Sequence, residues 1–164
     1  MRPSVWYLNA ALRTLRAFVP TLARPDDAFA ARWLTPAELA LYRSMDRRDR
    51  DHACRVAAAV LVDQPDAEPS LVRAAFLHDV GKADRPYRAW ERIAVHLYRP
   101  GSGAGAGSGA LAQLWRHHDQ HPERGAAMIL AAGGDPVVAE IVRHHHAASG
   151  PPGSDTLRRI DERT

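Results

Sequence analysis

The spacing of apolar residues predicts helices along most of this chain. Residues 5–19 place their apolar side chains on one helical face, and Pro20 follows them. Further helices are predicted over residues 45–62, 70–80, 87–98, 111–118, 122–132, 136–146 and from residue 154 onward. Because alanine is abundant and runs of β-branched residues are scarce, the pattern indicates an all-α fold.

Prolines, glycines and capping residues mark the predicted helix boundaries. Residues 35–38 (Thr-Pro-Ala-Glu) carry a capping box with proline in the first turn. The Asp-Pro pair at 135–136 is a second helix start of this kind. Gly81 is expected to end the helix before it. The glycine-rich run over 101–109 is predicted to be a flexible loop. A phosphate-binding loop is disfavoured, because no Lys-Ser/Thr pair follows the run and no strand precedes it.

The length and organisation of the chain indicate a single domain. Its 164 residues are enough to enclose a hydrophobic core, and no internal repeat or domain boundary stands out. We interpret residues 1–34 as an accessory N-terminal helix packed on a helical bundle formed by residues 35–164.

No segment has the pattern of a targeting or membrane-spanning sequence. Arg13 and Arg16 interrupt the apolar stretch over residues 5–22, which therefore lacks the core of a signal peptide. No uninterrupted apolar run reaches the roughly 18 residues of a membrane span. A single cysteine, Cys54, allows no intrachain disulfide, and we expect a core thiol in a cytoplasmic protein.

The charge of the chain suits an anionic ligand. The formal net charge is +3 and the isoelectric point is about 9.5, because arginines are in mild excess. The basic residues are dispersed and form no block interleaved with aromatic residues. We therefore expect no dedicated nucleic-acid interface.

The motif with the clearest chemistry is Phe-Leu-His-Asp-Val-Gly-Lys at residues 76–82. Adjacent side chains on a helix diverge by about 100°. His78 and Asp79 can nevertheless reach one ion if the helix ends at Gly81. An imidazole and a carboxylate together suit Mn, Fe, Zn, Ni or Co.

Most of the histidines lie at or near predicted helix ends. They are His52, His78, His96, His117, His118, His121, His144, His145 and His146. Helix ends that face one cleft can bring ligands from distant segments together.

Five segments, in order, resemble the HD-domain metal-dependent phosphohydrolase superfamily. They are the first-histidine helix (45–56), His-Asp-x-Gly-Lys (78–82), His-Pro-x-x-Gly (121–125), the paired-histidine segment (141–146) and the last-aspartate helix (157–161). The resemblance implies an all-α, single-domain multi-helix bundle of HD-domain type.

The resemblance also implies a set of metal ligands. His52, His78, Asp79 and Asp161 would bind a first divalent transition metal, and Asp79 would bridge to a second ion. That second ion would be bound by His121 together with His145 or His146. One or two ions of Mn, Fe, Ni, Co or Zn fit this ligand set.

Several of these histidines have simpler interpretations that spacing alone leaves open. His121 could be a helix N-cap before a proline, and residues 144–146 a solvated helix C-terminus. His117 and His118 could be second-site ligands, but we favour exposed loop positions for both. His96 is expected to be structural.

The implied chemistry is attack of a metal-activated water on a phosphate ester. Asp79 would orient the water as well as bind metal, and Lys82 would stabilise charge on the phosphoryl oxygens. Arg55 and His144 are further candidates for phosphate contact. The catalytic residues expected from the resemblance are thus Asp79 and Lys82.

The expected partner is a small-molecule phosphate ester, such as a nucleotide. Cyclic nucleotide phosphodiesterase and (p)ppGpp-type pyrophosphohydrolase activities are alternatives, as is a non-catalytic module that binds nucleotide or protein. The cyclic-dinucleotide branch of the superfamily has Glu and then Gly-Tyr-Pro after its paired histidine. Residues 147–153 (Ala-Ala-Ser-Gly-Pro-Pro-Gly) lack both, which argues against that branch. A homodimer is compatible with the sequence.

Overall fold

The computed structural model describes residues 23–88, 90, 91, 94 and 108–164, and in these residues it is helical without strands. The helices are α1 (Asp27–Trp33), α2 (Pro36–Ser44), α3 (Arg47–Asp63), α4 (Pro69–Leu77), α5 (Ala110–Ala131), α6 (Pro136–His144) and α7 (Ser154–Asp161). A 3-10 turn at Val80–Lys82 follows α4. The predicted all-α fold is confirmed.

Helix α4 forms the centre of the bundle. Its residues 71–72 and 74–77 are all buried, and it packs against α3, α6 and α7. Phe76 makes edge-to-face contacts with Phe29 and Tyr42, which bring α1 and α2 onto the same core. Helices α5 and α6 lie against each other, and α5 also packs on the 3-10 turn. The end of α4 therefore lies among several other helices.

Two helices begin at the capping residues that the sequence predicts, α2 at Thr35 and α6 at Asp135. The Thr35 hydroxyl accepts from the Glu38 N–H, and the Glu38 carboxylate accepts from the Thr35 N–H, which completes the capping box. The side chain of Asp135 caps α6 by accepting a hydrogen bond from the Val137 N–H. Helix α1 was not predicted, because its seven residues are too few to show a clear period.

The helix predicted over residues 70–80 is shorter in the structure. It ends at Leu77, and the chain tightens into the 3-10 turn before Gly81. His78 and Asp79 consequently lie between two elements, with backbone dihedrals of −56°, −31° and −99°, 5°. His78 keeps a helical backbone conformation and Asp79 departs from it, and the two side chains bring His78 Nε2 and Asp79 Oδ2 to 3.7 Å.

The predicted break at Pro122 is wrong. Helix α5 runs without interruption from Ala110 to Ala131 and contains Pro122. A proline inside a helix removes one backbone hydrogen bond, but burial of side chains on both sides of it can outweigh that loss. Leu114 and Ile129, which are fully buried, supply such burial.

Three predicted features fall largely outside the described residues. These are the helix over 5–19, the helix over 87–98 and the glycine-rich loop over 101–109. Tyr87 and Arg88 are not helical, whereas residues 90, 91 and 94 are. None of the described helices is long and apolar enough to cross a bilayer.

Candidate metal centre

The first group of metal-ligating side chains comes from three helices. His52 lies on α3, His78 at the end of α4 and Asp161 at the end of α7, and their ligand atoms lie within 4.8 Å of one another. His52 Nε2 lies 2.7 Å from Asp161 Oδ1, and His78 Nε2 lies 3.5 Å from the same oxygen. We call these three residues the first cluster.

His78 is oriented by the end of its helix. Its Nδ1 donates a hydrogen bond to the Ala75 carbonyl at 2.9 Å, so a neutral ring has its lone pair on Nε2. That Nε2 atom is fully buried and has no good hydrogen-bond partner. A buried polar atom of this kind is costly unless a ligand binds it. A metal ion is the natural ligand for an imidazole oriented in this way.

The second group consists of His121, His145 and His146, which we call the second cluster. Their ligand atoms also lie within 4.8 Å of one another. His145 donates its Nδ1 proton to the Val142 carbonyl, and His121 donates its Nδ1 proton to the His118 carbonyl. The neutral rings therefore direct unprotonated Nε2 atoms at each other across 3.3 Å. A cation between them would remove this repulsion.

Asp79 lies between the two clusters. Its Oδ2 is 3.7 Å from His78 Nε2, and its Oδ1 is 3.3 Å from His121 Nε2. Lys82 places its ammonium 2.6 Å from the same Oδ1 atom. One carboxylate thus faces both histidine groups, which is the arrangement that a bridging ligand requires.

The carboxylates dominate the electrostatics of the first cluster. Burial opposes the imidazolium form of His78, but Asp79 and Asp161 outweigh it and raise the pKa of His78 to about 9. Burial also opposes ionisation of Asp79, yet Lys82 and His78 hold the pKa of Asp79 well below its usual value. His78 and His52 do the same for the pKa of Asp161, against its burial. Both carboxylates are therefore ionised at neutral pH.

The second cluster consists of neutral imidazoles. Burial is the largest cause that lowers the pKa of His121, to about 4, and Lys82 adds to it. Burial, with His146 next, also lowers the pKa of His145 well below its usual value. The pKa of His146 is lowered mainly by burial. At neutral pH these rings keep the lone pairs that metal ligands need.

Two glycines, Gly81 and Gly125, allow the two ligand-bearing segments to approach each other closely. A Cβ atom on Gly81 would overlap the His121 carbonyl oxygen and lie 2.7 Å from the Gly125 N atom. A Cβ on Gly125 would in turn meet Gly81 N at 3.3 Å. The turn that carries Asp79 can therefore approach the backbone of α5 closely, which brings Asp79 to His121.

Two of the predicted substrate-binding residues, Arg55 and His144, belong to neither cluster. Arg55 donates to Asp51 at 3.3 Å and to the Thr164 carbonyl at 3.1 Å. His144 bonds the Glu140 carbonyl through Nδ1 at 3.0 Å and is a member of neither cluster. Because α6 ends at His144, the chain turns there, and the next two histidines join the second cluster, His145 fully buried and His146 exposed at its edge.

The expected loop positions of two histidines are wrong, and so is the N-cap interpretation of His121. His117 and His118 lie inside α5, where His117 is buried and His118 is half-buried. His118 lies one helical turn before His121, with ring centroids 5.5 Å apart, and its Nδ1 is 3.5 Å from the Tyr87 hydroxyl. A prediction that continued the helix through Pro122 would have placed His118 and His121 on the same helical face.

The comparison with protein families agrees with this geometry. The HD domain family matches residues 50–162, which include both clusters, Asp79 and Lys82. No curated protein and no solved structure is detectably similar to the chain. The chain belongs to the HD domain family of metal-dependent phosphohydrolases.

Proposed function

We propose that this protein is a phosphohydrolase that cleaves a nucleotide or a related small phosphate ester by means of bound divalent metal. The observation that carries the proposal is the convergence of unprotonated nitrogens and ionised carboxylates in a buried site. His121 Nε2 and His145 Nε2 are 3.3 Å apart, and Asp79 Oδ1 is also 3.3 Å from His121 Nε2. Imidazole lone pairs and carboxylate oxygens repel one another at such short distances unless a cation lies between them.

The proposed ligands divide into two sets that share Asp79. One ion would be held by the first cluster together with Asp79, and a second by the second cluster together with the same carboxylate. Imidazole and carboxylate donors suit Mn, Fe, Co, Ni or Zn. His52 donates its Nε2 proton to Asp161 at 2.7 Å, so metal binding through this nitrogen would require the proton to leave Nε2, by a change of tautomer to Nδ1 or by transfer to water.

The chemistry that a bound divalent ion supplies is a nucleophile from water at neutral pH and polarisation of a phosphoryl oxygen. The residues of the chain do the rest. Asp79, which accepts from Lys82 at 2.6 Å, would orient the attacking water. The Lys82 ammonium would bind a non-bridging phosphoryl oxygen, on which negative charge grows in the transition state.

The charge of the site favours an anionic substrate once metal is bound. Binding of metal displaces the proton that the raised pKa of His78 retains, so in the metal-bound form the imidazoles are neutral, Asp79 and Asp161 carry two negative charges and Lys82 carries one positive charge. A single divalent ion reverses the sign of this balance, and a second makes it strongly positive. A phosphate ester is then attracted, and the metals and Lys82 supply the cations that phosphoryl transfer requires.

Hydrolysis of p-nitrophenyl phosphate and bis-p-nitrophenyl phosphate with Mn²⁺ tests the proposal, with metal content measured on the same sample. Asp79→Asn keeps the shape of the side chain but removes the charge that both sets need. We expect loss of activity by at least about a hundredfold, with the folded state retained by circular dichroism. Asp63→Asn is the matched control, since Asp63 is an exposed residue that pairs with Arg159.

The proposal fails if the purified protein holds no divalent metal, or if Asp79→Asn is as active as the natural chain. A panel of nucleotides, with analysis of the products, then identifies the bond that is broken. Release of inorganic phosphate, of pyrophosphate or of a ring-opened nucleotide distinguishes the three activities.

A further inference from the structure

Three fully buried histidines share one mode of attachment to the backbone. Each donates its Nδ1 proton to the carbonyl three residues earlier: His78 to Ala75, His121 to His118 and His145 to Val142. Two of these carbonyls, those of Ala75 and Val142, belong to the last turns of α4 and α6. The last four carbonyls of a helix lack the regular donor four residues later, so they can accept from a side chain, although the Val142 carbonyl also accepts the His145 N–H at 3.4 Å.

His121 differs because it lies in the middle of α5. In a continuous helix the carbonyl of residue 118 accepts the N–H of residue 122. Residue 122 is Pro122, which has no N–H and cannot make this bond. The His118 carbonyl is thereby left for the imidazole of His121. A proline creates inside α5 the open carbonyl that helix ends provide elsewhere.

We propose that Pro122 is a positioning residue for the second cluster. By leaving the His118 carbonyl without a backbone donor, it fixes the His121 proton on Nδ1 and keeps the Nε2 lone pair directed at the ion site. The importance of this tautomer for metal rests on the proposed function. The tautomer itself is a property of the chain that can be measured without metal.

The opposite tautomer would block the site. A proton on His121 Nε2 would point toward Asp79 Oδ1 and His145 Nε2, each 3.3 Å away, and would find an acceptor in either. That arrangement is satisfied without metal and leaves no Nε2 lone pair for an ion. The hydrogen bond from Nδ1 to the His118 carbonyl is the interaction that opposes it.

Replacement of the proline tests the inference. Pro122→Ala restores an N–H that competes with His121 for the His118 carbonyl, and alanine is the best helix former. In metal-free protein, ¹⁵N imidazole spectra should show His121 shifting from the Nδ1–H form toward the Nε2–H form. We expect Zn²⁺ affinity at the second cluster, measured against a chromophoric chelator, to fall tenfold to a hundredfold.

The control is Pro136→Ala, which changes a proline at the first position of α6, where no intrahelical bond is lost. It should leave both the His121 tautomer and the Zn²⁺ affinity unchanged. A thermal unfolding midpoint for Pro122→Ala that is equal or higher shows that any loss of affinity is not loss of fold.

Two results would overturn the inference. One is a His121 that stays in the Nδ1–H form in Pro122→Ala, and the other is unchanged Zn²⁺ affinity despite the shift in tautomer. Absence of Zn²⁺ binding in the natural chain would instead contradict the proposed function, while the spectra would still decide the role of Pro122.

Discussion

The Nε2 atoms of His121 and His145 lie 3.3 Å apart, although each neutral ring keeps its proton on Nδ1, where it donates a hydrogen bond to a backbone carbonyl. Neither nitrogen can donate to the other, so the contact is not a hydrogen bond between neutral rings. In the proposed metal centre the two nitrogens would act as a preorganised pair of ligands. The energy that holds them comes from the two helices, which are fixed by their own packing.

Removal of one member of this pair should remove one ion. We expect His121→Ala to lose the ion of the second cluster and to keep the ion of the first, because His121 is not a member of the first cluster. Metal content by inductively coupled plasma mass spectrometry, after dialysis against limiting Zn²⁺, gives the stoichiometry. His144→Ala is the control, since His144 belongs to neither cluster and should retain both ions. Equal stoichiometry in the two variants would contradict the division into two sets.

A side chain at Gly81 should damage fold and site together. In Gly81→Ala the new Cβ overlaps the His121 carbonyl oxygen, and backbone must move to admit it. We expect a loss of about 2–3 kcal/mol in the free energy of unfolding, measured by urea denaturation. Gly109→Ala, where a Cβ meets no atom within 4 Å, should cost less than about 1 kcal/mol. Similar losses in both variants would show that the close approach is not the cause.

Glu38 should be one of the most sensitive positions away from the metal centre. Its carboxylate is fully buried, accepts from Arg73 at 2.6 Å and also caps α2. Glu38→Ala leaves the Arg73 guanidinium with only Asp135, at 3.3 Å. We expect a loss of about 3–5 kcal/mol in urea denaturation. Glu123→Ala, which removes an exposed partner of Arg143, should change stability by no more than about 1 kcal/mol.

The stability of the fold should fall in alkali because of Tyr42. Burial, followed by a hydrogen bond with Cys54, raises the pKa of Tyr42 far above its ordinary value, and Asp27 acts in the same direction. Arg50 faces the Tyr42 ring at 5.9 Å without reversing the shift. A folded-state pKa above the unfolded value of about 10 gives stability that is present below pH 10 and is lost as the pH rises.

Comparison of Tyr42→Phe with the natural chain isolates this effect. Urea midpoints at pH 8 and pH 11 should differ less in Tyr42→Phe, because the variant has no phenol to ionise on unfolding. An equal drop in both proteins would assign the alkaline loss to other groups, of which the buried Cys54 thiol, whose pKa is also raised, is the nearest.

The sequence was most informative where chemistry and helix boundaries coincide. The capping box at Thr35 and the position of His78 and Asp79 next to a helix end could be predicted, since both depend on residues close in sequence. The choice among residues 144–146 could not, because it depends on the residue at which α6 ends.

Pro122 misled the prediction for a physical reason. Local rules treat proline as a helix boundary. Helix α5 nevertheless continues, because buried side chains before and after Pro122 pack the helix against the rest of the domain. The same error placed His117 and His118 in a loop. Tertiary packing was the missing information, and the site residues on α5 depend on it.

Asp161 and His52 are 109 residues apart in the chain and in contact at 2.7 Å. Metal bound there would act as a reversible cross-link between α7 and α3, in addition to any chemistry. Opening of α7, which is only eight residues long, would then require an ion ligand to dissociate first. Amide hydrogen exchange in residues 154–161 should therefore slow as metal is added, and the residence time of the ion should follow the opening rate of that helix.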